Sequence, residues 1–148
     1  MPLNIKIIHC SRSANNPAIK ANTEFLDRTI GRSLLSNPAT HLPLSKTRAS
    51  VRVDSVEEAV GYYTRWISLK LNEEQKSPFN CRPYQYQMRR IYERAKELTG
   101  QGNTLYLACW CKDELLPSKN DHACHCDVVR EILNNKFQKE MRNVISKT

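Results

Sequence analysis

The cysteines and histidines of residues 109–127, CWCKDELLPSKNDHACHCD, are the side chains of this sequence best suited to chemistry. Four of the six cysteines and two of the four histidines fall within these nineteen positions. Such a group can bind a metal ion, supply a reactive thiolate or form disulfides. We find no secretory leader and no membrane-spanning run, so we expect a cytoplasmic protein whose thiols stay reduced. Disulfides are therefore the least favoured of the three.

A zinc site is the interpretation that the ligand count favours. Zinc takes about four cysteine or histidine ligands. The segment offers six candidates: Cys109, Cys111, His122, Cys124, His125 and Cys126. Structural sites usually space their cysteines as C-x₂₋₄-C, whereas this chain has C-x-C twice. Residues two apart on a strand share a face, so Cys109 and Cys111 can both point at one ion.

Thiol chemistry is the alternative for the same segment. Cys124 could act as a nucleophile, with His122 or His125 as its base. Cys109 by itself is equally well explained as a buried strand residue. We assign structural or surface roles to the isolated cysteines and histidines of the chain, namely His9, Cys10, His41 and Cys81.

The elements that must position these residues are predicted from hydrophobic periodicity and capping. Strands are expected at 5–10, 50–53 and 104–109, with loops and short strands filling the first 53 residues. Helices are expected from Ser55 to about Leu71, from about Tyr84 to Gly100, and from Asp127 as N-cap to the C-terminal region. The pattern predicts a single α+β (or α/β) domain, with a small central sheet packed by about three helices.

The cysteine segment then joins the carboxyl end of a strand to the start of a helix. Unpaired N–H groups and the positive end of the helix dipole lie at such a junction. An anion is favoured there, and a thiol there is more acidic than usual.

The charge distribution suggests the kind of partner. The net charge is +8, and residues 1–53 carry eight basic and only two acidic residues. A basic surface attracts phosphate, so we expect a phosphate-bearing small molecule or a nucleic acid as the ligand, and no membrane.

Three segments carry a resemblance to a known family. LACWCKDELLPSKNDHACHCDVV resembles the signature of the domain-of-unknown-function 4326 family, in which a strand ending in C-W-C leads to C-H-G-D-V-L. IGRSLLSNP (30–38) resembles that family's G-R-G-S-x-x-G-N-P segment, and SVEEAVGYYTRWI resembles the helix that follows it. The matching positions are Gly31, Arg32, Ser33, Asn37, Pro38, Cys109, Trp110, Cys111, Cys124, His125, Asp127 and Val128.

The resemblance narrows the candidate sites. The spacer between the two cysteine pairs is longer than the family's, and Ser36 and Cys126 stand where the family has glycine. It therefore implies a metal set of Cys109, Cys111, Cys124 and His125, without Cys126. The resemblance also joins a ligand-binding loop to the cysteine segment, and the residues of this loop are Gly31, Arg32, Ser33 and Asn37. It suggests a bacterial or phage origin. It implies no activity.

These observations support three hypotheses. The first is an enzyme acting on a nucleotide, nucleobase or nucleic acid, with Cys124 as nucleophile, His125 as its base or ligand partner, and Asp127 as N-cap and orienting carboxylate. The second is a non-enzymatic, zinc-stapled module that binds a nucleotide or nucleic acid. The third is a phage-type protein that acts on a host component through its surface.

Overall fold

The fold is built around a three-stranded parallel sheet. A computed structural model describes residues 2–12, 16–46, 49–77, 81–110, 112–116 and 124–146. Strand β5 (Leu105–Cys109) lies at the centre, between β1 (Ile5–His9) and β2 (Thr23–Phe25). All pairs are parallel, with Ile5 opposite Leu105 and Thr23 opposite Tyr106. A central parallel strand is covered on both faces, which explains the apolar run of LYLAC.

Three long helices pack on one face of this sheet. They are α2 (Val56–Lys76), α3 (Pro83–Gly100) and α4 (His125–Ser146). Their buried side chains include Tyr63, Ile67, Ile91, Tyr92, Val129 and Leu133, which join Ile5, Ile7, Leu105 and Leu107 of the sheet in one core. The predicted α+β class with a small sheet and three main helices is therefore confirmed.

Short elements complete the other face and the first third of the chain. Helix α1 (Pro17–Ala21) joins β1 to β2, and Ile19 packs with Phe25 against a small second cluster around Ile8. A two-stranded parallel ladder pairs β3 (Ala39–Thr40) with β4 (Val51–Arg52), and a 3-10 turn (Leu44–Lys46) lies between them. The expected loops and short strands are thus present, but α1 and β2 were not predicted as separate elements because both are too short to show periodicity.

The helix ends differ in detail from the sequence prediction. Helix α2 begins as expected, since the Ser55 hydroxyl accepts from the Glu58 N–H at 3.1 Å, but it continues to Lys76 rather than ending near Leu71. Helix α4 begins at His125, so Asp127 is its third residue and not its N-cap. The Asp127 carboxylate reaches back to the N–H of Cys124 at 2.8 Å, as third-position carboxylates do in capping boxes. Among the described helices, none has the length and apolar character needed to cross a membrane.

Candidate functional site: a buried thiol group beside a basic loop

Three cysteine sulfurs meet where the central strand ends and the last helix begins. Cys109 is the last residue of β5, Cys124 immediately precedes α4, and Cys126 is the second residue of that helix. The sulfurs of Cys109 and Cys124 are 3.5 Å apart, and all three lie within 4.8 Å of one another. All three side chains are buried. These three cysteines, called the thiol group below, are able to hold a metal ion.

Burial and mutual contact raise the pKa values of Cys124 and Cys126. The hydrogen bond to Cys109, together with burial, raises the pKa of Cys124 to about 11. Burial raises the pKa of Cys126 well above its usual value, and its contacts with Cys109 and Cys124 act in the same direction. A nucleophilic cysteine needs the opposite, a lowered pKa and access for the substrate. The arrangement therefore suits metal ligation better than nucleophilic attack.

His125 lies outside the thiol group, although the resemblance implied that it would be a ligand. Its Nε2 donates to the carbonyl of Leu26 at 2.7 Å, and its ring makes an edge contact with Tyr63 at 5.3 Å between centroids. Among the described residues, Cys126 rather than His125 lies with Cys109 and Cys124. The other two candidates, Cys111 and His122, lie outside the described residues.

Asp127 contacts charged partners and a backbone N–H around the start of α4. Both of its carboxylate oxygens accept from Lys112 Nζ at 3.1 Å, and one also accepts from Arg130 at 3.0 Å. Arg130 in turn donates to both oxygens of Glu114, at 2.6 and 3.0 Å. Asp127 therefore holds the loop that follows β5 against α4, and its expected role beside a catalytic Cys124 gains no support from these contacts.

The same loop covers the free edge of β1. The Glu114 N–H donates to the Ile7 carbonyl at 2.7 Å, and the Ile7 N–H donates to the Glu114 carboxylate at 2.7 Å. Burial acts to raise the pKa of Glu114, but the hydrogen bonds from Arg130 and Ile7 lower it below its ordinary value. Asp113 adds an ion pair with Arg12 at 2.7 Å. The thiol group thus lies beside a loop fixed by several charged contacts.

A second feature, the basic loop of residues 27–36, is organised by the buried carboxylate of Asp27. It accepts hydrogen bonds from the N–H groups of Thr29, Ile30 and Gly31 and from the Thr29 hydroxyl. Burial acts to raise the pKa of Asp27, but these bonds and one from Trp110 outweigh it and lower the value to about 2. The loop is therefore held in one shape by the Asp27 carboxylate, which stays charged near neutral pH.

The basic loop lines an open surface cavity of about 320 Å³. The lining residues are Arg28, Arg32, Ser33 and Ser36. Arg32 has a φ of 45°, a left-handed conformation that is uncommon for a residue with a side chain. The Arg28 Nε donates to the Asn37 carbonyl at 3.0 Å, which fixes one guanidinium at the wall. The cavity thus presents two guanidinium groups and two hydroxyls.

Two of the four expected ligand-binding residues line this cavity. Arg32 and Ser33 do so, whereas Asn37 donates through its amide to the Ala59 carbonyl at 3.0 Å and accepts from the Ala39 N–H at 2.9 Å. Gly31 serves packing, because a Cβ there would lie 2.2 Å from the Phe25 carbonyl oxygen.

Sequence reasoning missed the other two lining residues, Arg28 and Ser36. The excess of basic residues before residue 53 was the signal available for Arg28. Ser36 had been noted only as a departure from the family's glycine.

One hydrogen bond connects the residue before the basic loop with the helix start beside the thiol group. No residue of α4 is among those that line the cavity, and the expected common concavity with the helix start stays a prediction. The connection runs through the bond from His125 to Leu26, the residue before Asp27.

Trp110 lies next to the thiol group and to the basic loop. Its indole N–H donates to Asp27 Oδ2 at 3.0 Å and is 3.1 Å from the Thr29 hydroxyl oxygen. The His9 ring meets it edge to face, with 5.2 Å between centroids. Even so, 48% of Trp110 is exposed to solvent.

Comparison with family models matches residues 8–135 to the domain of unknown function DUF4326. No curated protein and no solved structure matches the chain. Because the matched region covers most of the sequence, the chain belongs to the DUF4326 family.

Proposed function

We propose that this protein is a non-enzymatic module that binds a nucleotide or a nucleic-acid strand through a phosphate group in the cavity of the basic loop. The observation that carries the proposal is the lining of that cavity, which among the described residues consists of two arginines and two serines with no acidic side chain. Guanidinium groups match phosphate oxygens with paired hydrogen bonds. The two serine hydroxyls donate to protein acceptors, Ser33 to the Gln87 side chain at 3.3 Å and Ser36 to the Ser33 carbonyl at 2.8 Å, so the arginines supply the donors for the phosphate.

The loop has the rigidity that a phosphate site needs. Asp27 holds its backbone with three N–H bonds, so the loop backbone needs little reordering on binding. The left-handed backbone of Arg32 costs free energy, and such conformations cluster at ligand-binding positions. Burial lowers the pKa of Arg28, which means that its charge is incompletely solvated. A bound anion would offset that cost.

Zinc held by Cys109, Cys124 and Cys126 is the second part of the proposal. Tetrahedral Zn–S bonds of about 2.3 Å place ligand sulfurs roughly 3.8 Å apart. The observed spacing, with one pair at 3.5 Å and all within 4.8 Å, is close to that value. Zinc would bind the three thiols as thiolates and join the end of β5 to the start of α4, with a fourth ligand from elsewhere.

The burial of the sulfurs favours this structural role over the enzymatic hypothesis. Cys124 is 2% exposed and its pKa is raised, so it lacks both the access and the acidity of a nucleophile. The basic cavity supplies binding groups but no base, since neither arginine nor a serine hydroxyl accepts a proton near neutral pH.

The phosphate site is tested by removing one charge from the cavity and one from another basic surface. Arg89 lines a separate concavity of about 410 Å³ at the start of α3, so Arg89→Ala is the matched control for Arg32→Ala. Binding of nucleoside 5′-monophosphates and of a short single-stranded oligonucleotide is measured by calorimetry. We expect Arg32→Ala to weaken binding about tenfold or more, while Arg89→Ala stays within about twofold. Equal losses in both variants would show general charge attraction and contradict the proposal.

The zinc site is tested by elemental analysis of the purified protein. We expect about one zinc per chain in the wild type, a substantial loss in Cys126→Ser, and full content in Cys81→Ser, which removes an exposed cysteine. A chelator should lower the melting temperature of the wild type. Zinc-free wild type, or full zinc content in Cys126→Ser, would reject the proposed ligand set.

A further inference from the structure

We propose that Trp110 is the base-stacking platform of this phosphate site, so that the ligand is a nucleotide unit whose base lies on the indole and whose phosphate lies in the cavity. The inference rests on the proposed function, because it adds the base to a ligand whose phosphate that function already places. Trp110 would thereby separate nucleotides from other phosphate esters.

The first observation is the exposure of a large aromatic ring that is held in place. Trp110 is 48% exposed, yet its N–H is bonded to Asp27 and its ring is braced by His9. An aromatic side chain that packs for stability is usually buried, whereas a fixed and exposed ring offers a flat surface without an ordering cost. Stacking on such rings is available to every nucleobase.

The second observation is the position of the ring in the sheet. Trp110 follows the last residue of β5, the central strand, so it lies at the carboxyl edge of a parallel sheet. In open parallel sheets this edge is where ligands bind. His9, the last residue of β1, lies beside it.

The third observation connects the ring to the phosphate cavity through one residue. Asp27 accepts the Trp110 indole N–H through its carboxylate, and its backbone carbonyl accepts the Ser33 N–H at 3.1 Å. Ser33 lines the cavity, and so does Arg28, the next residue after Asp27. The same aspartate therefore holds both the ring and the loop that lines the cavity.

The basic loop also carries exposed apolar side chains. Ile30 and Leu34 belong to this loop and are 53% and 39% exposed. Apolar side chains suit the faces and edges of a nucleobase better than they suit a bare sugar phosphate.

The experiment compares phosphate-bearing probes that have a base with one that has none. Calorimetry measures binding of adenosine, guanosine, cytidine and uridine 5′-monophosphates, ribose 5-phosphate and a single-stranded oligonucleotide to the full chain. The variants are Trp110→Ala and Trp110→Phe, with Tyr86→Ala as a control that removes an exposed aromatic residue from α3.

We expect at least one monophosphate or the oligonucleotide to bind about 5- to 100-fold more tightly than ribose 5-phosphate. Trp110→Ala should abolish that difference while ribose 5-phosphate still binds, which also shows that the variant is folded. Trp110→Phe should keep most of the difference because the stacking face remains, and Tyr86→Ala should match the wild type. If only the oligonucleotide shows the difference, the nucleotide unit belongs to a strand rather than to a free nucleotide.

Two results would overturn the inference, and they are distinguishable. Nucleotides binding no better than ribose 5-phosphate, or equally well to Trp110→Ala, would reject the platform and leave the phosphate site standing. Failure of every probe to bind the wild type would reject the phosphate site itself, and the platform with it.

Discussion

His125 and Leu26 join the two halves of the candidate site: the imidazole Nε2 donates to the Leu26 carbonyl across 2.7 Å. His125 opens the helix that carries Cys126, and Leu26 precedes the carboxylate that shapes the basic loop. Both residues are buried, so water does not replace this hydrogen bond when it is lost. It directly links the residue that follows β2 to the first residue of α4, beside the thiols.

His125→Ala should therefore destabilise the fold without removing a metal ligand. Leaving the Leu26 carbonyl unpaired in the core should cost about 1–3 kcal/mol in the free energy of unfolding, measured by urea denaturation. His125→Gln, which keeps a donor near the same position, should lose less. Zinc content should stay at the wild-type level in both variants. Loss of the metal in the folded His125→Gln protein would mean that the imidazole is a ligand after all.

The low pKa of Asp27 predicts acid sensitivity. Its folded pKa of about 2 lies below the ordinary value of 3.8, so its stabilising contribution is complete above pH 4 and is lost as the pH falls towards 2. That contribution should be about 2 kcal/mol. The unfolding free energy of the wild type should exceed that of Asp27→Asn at pH 6, and the difference should shrink on acidification. Asp54→Asn, which alters an exposed carboxylate, is the control. A pH-independent difference would argue against the assignment.

Gly31→Ala should displace the basic loop. The added Cβ would lie 2.2 Å from the Phe25 carbonyl oxygen and 2.7 Å from the Phe25 Cβ, so the backbone must shift. We expect a loss of about 1–3 kcal/mol in stability and weaker phosphate binding, because Arg32 and Ser33 follow directly.

Gly61→Ala is the matched control for that substitution. Gly61 lies inside α2, and a Cβ there meets nothing closer than 3.7 Å. Alanine should stabilise the helix by about 0.5–1 kcal/mol. If both glycine variants behaved alike, the close approach to Phe25 would have no energetic importance.

Glu114 and Arg130 should be strongly coupled. Their two hydrogen bonds, at 2.6 and 3.0 Å, hold the loop after β5 over the edge of β1. A double-mutant cycle with Glu114→Ala and Arg130→Ala should give a coupling free energy of about 1–3 kcal/mol. The exposed pair Lys70 and Glu73, at 4.0 Å, should give less than about 0.5 kcal/mol. Similar coupling free energies for the two pairs would contradict the structural role of the Glu114–Arg130 contact.

Local pattern was sufficient to predict the main elements. The apolar run ending at Cys109 predicts a buried strand, and the spacing of apolar residues predicts the three long helices. Burial of one face is what creates such periodicity, so it can be read without the fold. The same reasoning failed for α1 and β2, whose few residues are held by contacts with the rest of the sheet.

The sequence by itself also determined which residues have the chemistry: a cluster of cysteines at a strand end, and an arginine loop in a basic region. Only the tertiary structure decided which of them meet. Cys109 and Cys124 are 15 positions apart, and Asp27 and Trp110 are 83 apart, yet both pairs are in contact. Spacing along the chain sets direction only within one element, so the approach of Cys126 to the other two cysteines and the place of Arg28 at the cavity depended on how β5, α4 and the loop pack together.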